Sequence, residues 1–363
     1  MKTGVRLRRL AAASAVMASA VGAFSALATP AGAATAPTAT LSSGTLTITG
    51  TAARDVISLT EDADRFSIDF NSDGTIDRRF SMTDVQRVSV SEGDGNDGIT
   101  LEGVGVGDVP VTINGGNGDD GGGVVGNFGD SGAGDARITL NGNDGNDNFL
   151  MAVPGPATVS AGAGDDRIEG GNAGTGKETI SLGDGNDKFV SSLSTFVGAR
   201  SDVVRGGLGK DTMEMDGTFA SESLNLAASA GHLLVDDDRA HIDAVGVENV
   251  TYFGFGGLDD GDAVRVGDLS GTGVVNFTPN FSAPSDPTAP NNSSDQLTVD
   301  GTDGIDHIAV SSLGENITVS GLTTVVTPAL LDSHDVLRID TLGGNDTVDT
   351  AGLQAGLVQL QVS

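Results

Sequence analysis

The chain has 363 residues, with 50 Asp+Glu against 19 Lys+Arg and no cysteine. Its formal net charge of −31 excludes nucleic acid as a natural partner because phosphate would be repelled, and the lack of thiols excludes disulfides and zinc–thiolate sites. With 55 glycines, no Trp and one Tyr, the composition favours thin, regular layers of small and branched residues over one large globular core.

The first 33 residues have the pattern of a secretory signal peptide. Four basic side chains precede an apolar run from Leu10 to Ala28, and small residues occupy the cleavage positions 31–33. The general secretory route fits better than twin-arginine export or a retained anchor. We expect a secreted, extracellular protein with a flexible leader at 34–44 and no membrane span in the mature chain. Cleavage would leave 15 Lys+Arg against the same 50 acids, and a compact fold of that charge gains stability from bound cations.

A glycine-acid turn recurs along the chain, in sequences such as GDGND, GNGDD and GAGDD. Its successive final aspartates are 23, 27, 19, 21 and 24 residues apart, and in five of the six turns an apolar residue follows two positions later. This spacing predicts an all-β fold, a right-handed parallel β-helix or β-roll-like solenoid whose turns stack on one another. The final aspartates are Asp97, Asp120, Asp147, Asp166, Asp187 and Asp211.

A longer repeat flanks this acid-dense middle. LTITGTAARDVISL (46–59) aligns without a gap with LTVDGTDGIDHIAV (297–310), and six of 14 positions are identical. The predicted organisation is an N-terminal solenoid module (45–92), central Gly-Asp repeats (93–217), a third module (218–277), a Pro/Ser/Asn-rich surface loop (278–294) and a C-terminal module (295–363).

The acidic turns have the chemistry of a calcium site. Aspartate supplies hard charged oxygens, and glycine lets backbone carbonyls face a common point. Calcium takes six to eight oxygens, more than one turn offers, so we expect Ca²⁺ between stacked turns, where it also cancels the repulsion between their aspartates. Magnesium is less suited because it gives up its water reluctantly. A turn without any metal is the simpler alternative, since Asp, Asn and Gly favour turns by themselves.

These residues resemble the RTX, or hemolysin-type, calcium-binding repeat, G-G-x-G-x-D-x-U-x with U a large apolar residue. The segments 114–120, 160–171, 181–192 and 205–215 carry the motif best. The resemblance implies a carboxylate ligand from each final aspartate and carbonyl ligands from the glycine region. Only one motif falls in each 19–27 residues here, so we expect one calcium row along one edge. The implied turn glycines are Gly95, Gly118, Gly145, Gly164, Gly185 and Gly209.

The leading functional prediction is a secreted, non-enzymatic calcium-binding solenoid with a structural, surface or adhesion-like role and a cell-surface, matrix or other protein partner. The four histidines form no zinc motif, and we predict no catalytic residue. Two alternatives stay open. A carbohydrate-active β-helix lyase or hydrolase would need a basic and aromatic groove. An ice- or surface-binding solenoid would need a Thr-x-Thr ladder in every turn, whereas LTIT (46–49) looks isolated in the sequence.

Overall fold

The computed structural model describes residues 36–62, 64–103, 109–125, 137–153, 155–170, 176–192, 200–218, 221–237, 240–254, 261–283 and 286–363. The predicted signal peptide lies outside them. The described residues form short β-strands, and their one helical element is a 3₁₀ turn at Met82–Asp84. None of them forms a helix long and apolar enough to cross a membrane.

The chain divides into two compact units, Met1–Asp184 and Gly185–Ser363. The predicted module bounds stay a prediction. The strands of the first unit are β1 (Thr38–Ser42), β2 (Thr45–Thr49), β3 (Val56–Asp62), β4 (Arg65–Phe70), β5 (Arg78–Ser81), β6 (Arg87–Asp94), β7 (Gly98–Glu102), β8 (Val111–Asn117), β9 (Gly121–Val125), β10 (Ile138–Asp144), β11 (Asn148–Ala152), β12 (Ala157–Ala163), β13 (Arg167–Gly170) and β14 (Glu178–Gly185).

The first unit winds these strands alternately into two sheets. One has the order β1-β2-β6-β8-β10-β12-β14 and the other β13-β11-β9-β7-β3-β4-β5. Successive turns pair in parallel, and antiparallel pairing occurs in the hairpin β1–β2 and the meander β3–β4–β5. Apolar residues therefore stack in register between the sheets, with Val90, Ile113, Leu140, Val159 and Ile180 forming one fully buried column.

The second unit continues with β15 to β32. Its strands are β15 (Lys188–Ser192), β16 (Arg200–Gly209), β17 (Thr212–Asp216), β18 (Ser223–Ser229), β19 (His232–Asp236), β20 (Ala240–Val245), β21 (Asn249–Phe253), β22 (Ala263–Val266), β23 (Asn276–Asn280), β24 (Ser282–Ala283), β25 (Asp286–Pro290), β26 (Gln296–Asp300), β27 (His307–Leu313), β28 (Asn316–Ser320), β29 (Val325–Val326), β30 (Val336–Asp340), β31 (Thr347–Gly352) and β32 (Gln359–Val362).

These strands also form two mainly parallel sheets. The orders are β16-β20-β19-β18-β22-β26-β30-β32 and β31-β27-β28-β29-β23-β21-β17-β15. Antiparallel hairpins interrupt both, at β18–β19–β20 and at β27–β28–β29. The segment predicted as a Pro/Ser/Asn-rich loop contains a short antiparallel pair, β24 with β25.

The predicted all-β fold with parallel solenoid turns is confirmed. The apolar residue two positions after a turn aspartate is buried wherever a strand stacks on both sides, as at Ile99, Phe149 and Phe189. After Asp120 the same position holds Gly122, which stands in register between Ile99 and Phe149. One coil consists of a strand from each sheet joined by an acidic turn, and the acidic turns of the first unit therefore lie directly above one another.

Candidate metal centre

A ladder of buried aspartates ties the turns of the first unit together. The backbone N–H of each turn aspartate donates to Oδ1 of the aspartate in the following turn. The donor–acceptor distances are 2.7 Å from Asp55 to Asp97, 2.9 Å from Asp97 to Asp120, 2.8 Å from Asp120 to Asp147 and 2.8 Å from Asp147 to Asp166. One carboxylate oxygen of each acceptor is therefore engaged by the protein's own backbone.

The same ladder recurs in the second unit, and there it extends beyond the residues that the motif identified. Asp187 donates to Asp211 at 3.0 Å, and Asp211 donates to Oε2 of Glu248 at 2.7 Å. A further run uses acids for which sequence analysis had proposed no role. It passes from Glu222 to Asp262 at 3.0 Å, from Asp262 to Asp295 at 2.7 Å and from Asp295 to Asp335 at 2.8 Å.

The six predicted turn glycines all have the backbone conformation that L side chains rarely adopt. Their φ angles are +132° at Gly95, +138° at Gly118, +136° at Gly145, +136° at Gly164, +154° at Gly185 and +131° at Gly209. A Cβ at Gly118 would also clash with the carbonyl oxygen of Gly95 in the preceding turn. Glycine is therefore required by the close approach of the stacked turns, whether or not an ion is bound.

In several turns the second carboxylate oxygen of the ladder aspartate lies close to a glycine five residues earlier in the chain. A Cβ at Gly115 would lie 2.5 Å from Oδ2 of Asp120, and Cβ atoms at Gly142 and Gly206 would clash with Oδ2 of the aspartate five residues on. The missing side chain makes room for the carboxylate. Because this residue is glycine, it adds no side-chain oxygen beside the aspartate.

Glu92 breaks this pattern, since it precedes Asp97 by five residues and stands where the neighbouring turns have Gly50 and Gly115. Its side chain is 0% exposed, and Asp97 and Asp120 are 1% and 0% exposed. One oxygen from each of these three side chains lies within 4.8 Å of the others. The three residues form a buried acidic cluster that could hold a metal ion.

Unpaired buried oxygens are concentrated in this cluster, because Glu92 adds two to the one on Asp97 and the one on Asp120. Among the described residues, neither carboxylate oxygen of Glu92 has a hydrogen-bond partner, and the same is true of Oδ2 of Asp97 and of Asp120. Buried polar atoms are normally hydrogen-bonded, because leaving water without a partner costs about 1–3 kcal/mol per group and more for a charge. A cation bound among the three side chains would give an oxygen of each a partner that the described residues do not supply.

The electrostatics of the cluster agree with its geometry. Burial raises the pKa of Glu92 well above its ordinary value, and the charges of Asp120 and Asp97 raise it further. Burial also raises the pKa of Asp97 to about 7 and that of Asp120 to about 6, although the backbone hydrogen bond that each accepts lowers it. The folded chain therefore disfavours three negative charges here unless a cation or protons neutralise them.

A buried acidic pair in the second unit has a protein donor instead. The Tyr252 hydroxyl donates to Oε2 of Glu222 at 2.7 Å and lies 3.4 Å from Oδ2 of Asp262. Burial and the charge of Asp295 raise the pKa of Asp262 to about 7. Tyr252 is itself fully buried, so the phenol fills the space between the acids. Among the described residues, no such hydroxyl donates to the unpaired oxygens of the Glu92 cluster.

The exposed side of the turns alternates acids with amides. Asn117 Nδ2 donates to Oδ1 of Asp94 at 2.8 Å, and Asn146 N–H donates to Oδ1 of Asp119 at 2.9 Å. Asp165 N–H in turn donates to Oδ1 of Asn146 at 2.7 Å. An acid thus faces an amide in the adjacent turn, which reduces the repulsion that the sequence alone suggested would require an ion in every turn.

The outward face of β2, β6, β8, β10, β12 and β14 carries two columns of uncharged polar residues. The parallel register aligns Thr47, Ser89, Thr112, Thr139, Thr158 and Thr179 in one column, and Thr49, Ser91, Asn114, Asn141, Ser160 and Ser181 in the other. Asn141 Nδ2 donates to Oδ1 of Asn114 at 2.7 Å. The Thr-x-Thr pair that looked isolated in the sequence therefore begins two columns of uncharged polar residues, in which the other strands contribute Ser, Thr or Asn.

The structure brings two of the predicted ligands, Asp97 and Asp120, into the cluster. It places the other predicted aspartates in the ladder, where each stands without a second acid at the position five residues earlier. Sequence analysis missed Glu92, although the signal was present, since SEGDGND has Glu where NGGNGDD has Gly. No family model and no curated protein matches this chain, so its function has to be inferred from this geometry.

Proposed function

We propose that the protein is an exported, non-enzymatic calcium-binding β-solenoid in which bound Ca²⁺ stabilises the stacked turns. The observation that carries this proposal is the set of unpaired, buried carboxylate oxygens of Glu92, Asp97 and Asp120. These oxygens come from adjacent turns, so an ion among them would join one coil to the next. Export is proposed from the signal-like pattern of residues 1–33.

The donor set favours calcium over other common cations. All the available side-chain ligands are carboxylates, which suit hard cations, and the cluster contains neither histidine nor thiolate for a transition metal. Magnesium usually keeps several waters, whereas the cluster is closed to solvent. The RTX-like Gly-Asp turns around the cluster point to the same ion.

The proposed role is structural, as a surface or matrix component. A chain of charge −31 repels itself, and neutralising buried acids lowers the free energy of the compact state. External calcium would then favour the folded solenoid after export. A cell-surface or matrix partner would meet the outer faces of the sheets and turns.

Calcium titration of the metal-stripped chain tests the proposal. We expect heat of binding in calorimetry and a gain of β signal in circular dichroism as Ca²⁺ is added, both reversed by a chelator. A chain that gives the same spectrum and the same thermal unfolding with calcium and with EDTA would sink the proposal.

A second candidate function, binding to an ordered uncharged surface such as ice, is favoured by the two polar columns on the first unit. Neighbouring strands of a sheet are about 4.7–4.9 Å apart and alternate residues about 6.6 Å apart, so the columns present a regular grid of hydrogen-bonding groups. No column position carries a charge, despite the acidity of the chain as a whole.

Partition into slowly growing ice tests this second candidate. The protein should be enriched in the ice, and Thr158→Lys, which places a charge in the first column, should abolish the enrichment. Thr100→Lys on the other sheet is the matched control and should not. Equal exclusion of all three proteins from ice would rule this function out.

A further inference from the structure

We propose that Glu92 creates one discrete, occluded calcium site in the first unit, and that the other Gly-Asp turns described there, which have no acid five residues before the ladder aspartate, hold no ion. The inference rests on the proposed function and makes it specific, because it assigns binding to a residue outside the repeat motif. It replaces the expected row of ions along one edge by a single ion in the interior.

Glu92 has glycines as its neighbours along the solenoid, at positions where a side chain would clash. A Cβ at Gly115 would lie 2.5 Å from Oδ2 of Asp120, and a Cβ at Gly50 would lie 2.8 Å from Oδ2 of Asp55. Glu92 itself brings two oxygens into this gap, and both are buried without a hydrogen-bond partner among the described residues. A buried glutamate thus stands at a position where the neighbouring turns have only glycine.

The ladder leaves one free oxygen on each aspartate beside Glu92. Oδ1 of Asp97 accepts the Asp55 N–H at 2.7 Å, and Oδ1 of Asp120 accepts the Asp97 N–H at 2.9 Å. Oδ2 of each is left without a hydrogen bond, as are both oxygens of Glu92, so the three acids carry four unpaired carboxylate oxygens, and one oxygen from each acid lies within 4.8 Å of the others. Carboxylate oxygens are ligands that Ca²⁺ prefers, and it takes six to eight oxygens in all, so backbone carbonyls or water would complete the shell.

The remaining described turns of the first unit offer fewer carboxylate oxygens to an ion. At Asp147 the residue five positions earlier is Gly142, so Oδ2 stands without a second side-chain carboxylate from that position. On the outer side, Asp119 accepts the Asn146 N–H at 2.9 Å and pairs with amides rather than with another acid. Oδ2 of Asp147 is also buried without a hydrogen-bond partner among the described residues. A single such oxygen is far short of the six to eight that calcium takes.

The ion in this site is shielded from solvent, since all three of its side chains are fully buried. It links the turn that contains Glu92 and Asp97 to the turn that contains Asp120. Release therefore requires the two turns to separate, and we expect exchange to be slow. The ion acts as a permanent part of the fold and not as a sensor of fluctuating calcium.

Stoichiometry measured by native mass spectrometry and calorimetry on the metal-stripped full chain tests the inference, with Ca²⁺ as the probe. The variants are Glu92→Gln, which keeps the shape, and Glu92→Gly, which restores the residue of the adjacent turns. Glu102→Gln makes the same chemical change on an exposed glutamate and is the matched control, and Asp147→Asn alters a turn that should hold no ion. Circular dichroism checks that each variant is folded.

We expect both Glu92 variants to bind one ion fewer than the parent chain, while Glu102→Gln and Asp147→Asn bind the same number. An unchanged number in the Glu92 variants would overturn the inference but leave the proposed function standing if the parent chain still binds calcium. Loss of an ion in Asp147→Asn would also overturn it, because the ladder turns would then be sites. A parent chain that binds no calcium would remove both the inference and the proposed function.

Discussion

Two replacements of Asp147 distinguish the hydrogen bond that a ladder aspartate accepts from the charge that it buries. Its Oδ1 accepts the Asp120 N–H at 2.8 Å, and its side chain is 2% exposed. In Asp147→Ala the Asp120 N–H is left buried without this acceptor, which we expect to cost about 1–3 kcal/mol of unfolding free energy. In Asp147→Asn the amide oxygen keeps the hydrogen bond, and the buried charge is removed.

The difference between Asp147→Asn and the parent chain should depend on pH. Burial raises the pKa of Asp147 from 3.8 to about 7, an effect that the hydrogen bond from Asp120 reduces and the charge of Asp166 increases. Between these values the folded state holds a proton that the unfolded state has lost. The parent chain therefore loses stability relative to Asp147→Asn as pH rises through this window, by at most about 1.4 kcal/mol per pH unit.

Urea unfolding followed by circular dichroism in a chelator, at several pH values between about 4 and about 8, measures both effects. Both variants should gain on the parent chain up to neutral pH and then level off, because both lack the buried charge, and Asp147→Ala should be about 1–3 kcal/mol less stable than Asp147→Asn at every pH. If the Ala and Asn variants lose the same stability at all pH values, the Oδ1 hydrogen bond and the buried charge are both refuted as the reasons for this residue.

Three further predictions follow from the turns and buried acids. Gly118→Ala should prevent cooperative folding or cost several kcal/mol in urea unfolding, because its Cβ would clash with a carbonyl of the adjacent turn. The control is Gly74→Ala, at φ +87° with nothing within 4 Å of the added Cβ, which should cost about 1–3 kcal/mol for backbone strain alone. Equal losses in the two variants would argue against close stacking of the turns. Because burial raises the pKa of Asp262 to about 7, the melting temperature of the metal-free protein should fall as pH rises from about 4 to about 7, and a melting temperature that rises over this range would contradict the assignment. Tyr252→Phe removes the donor to Glu222 and should cost about 1–3 kcal/mol at neutral pH in the same unfolding assay, while no loss would show that the phenol is not needed there.

The repeating unit of the fold could be predicted from the sequence because its signals are local. Each turn places glycines, an aspartate and an apolar residue within a few positions, and Ile99 and Phe149 are buried as that pattern indicates. The roles of the aspartates could not be predicted in the same way. The hydrogen bond from Asp97 to Asp120 joins residues 23 positions apart, and only the register of the stacked turns brings them together.

Only part of the candidate metal centre could be predicted, because sequence motifs show local neighbours and not the register between turns. Asp97 and Asp120 stand in the motif, whereas Glu92 lies outside it and becomes meaningful only when aligned with Gly50 and Gly115 in the turns on either side. The polar columns of the first unit show the same limit, because a Thr-x-Thr pair in one strand gains its significance from the strands beside it. Alignment of turns by their position in the coil would have revealed both.

The most direct test of the account is the unfolding midpoint of the metal-stripped chain as a function of free calcium. The account predicts a midpoint that rises steadily with the logarithm of calcium concentration, with a gain of about 2.7 kcal/mol when calcium reaches 100 times its dissociation constant, and a smaller rise with magnesium. A midpoint that is the same in chelator and in saturating calcium would contradict the account, and the Glu92 cluster would then have to be neutralised by protons instead of an ion.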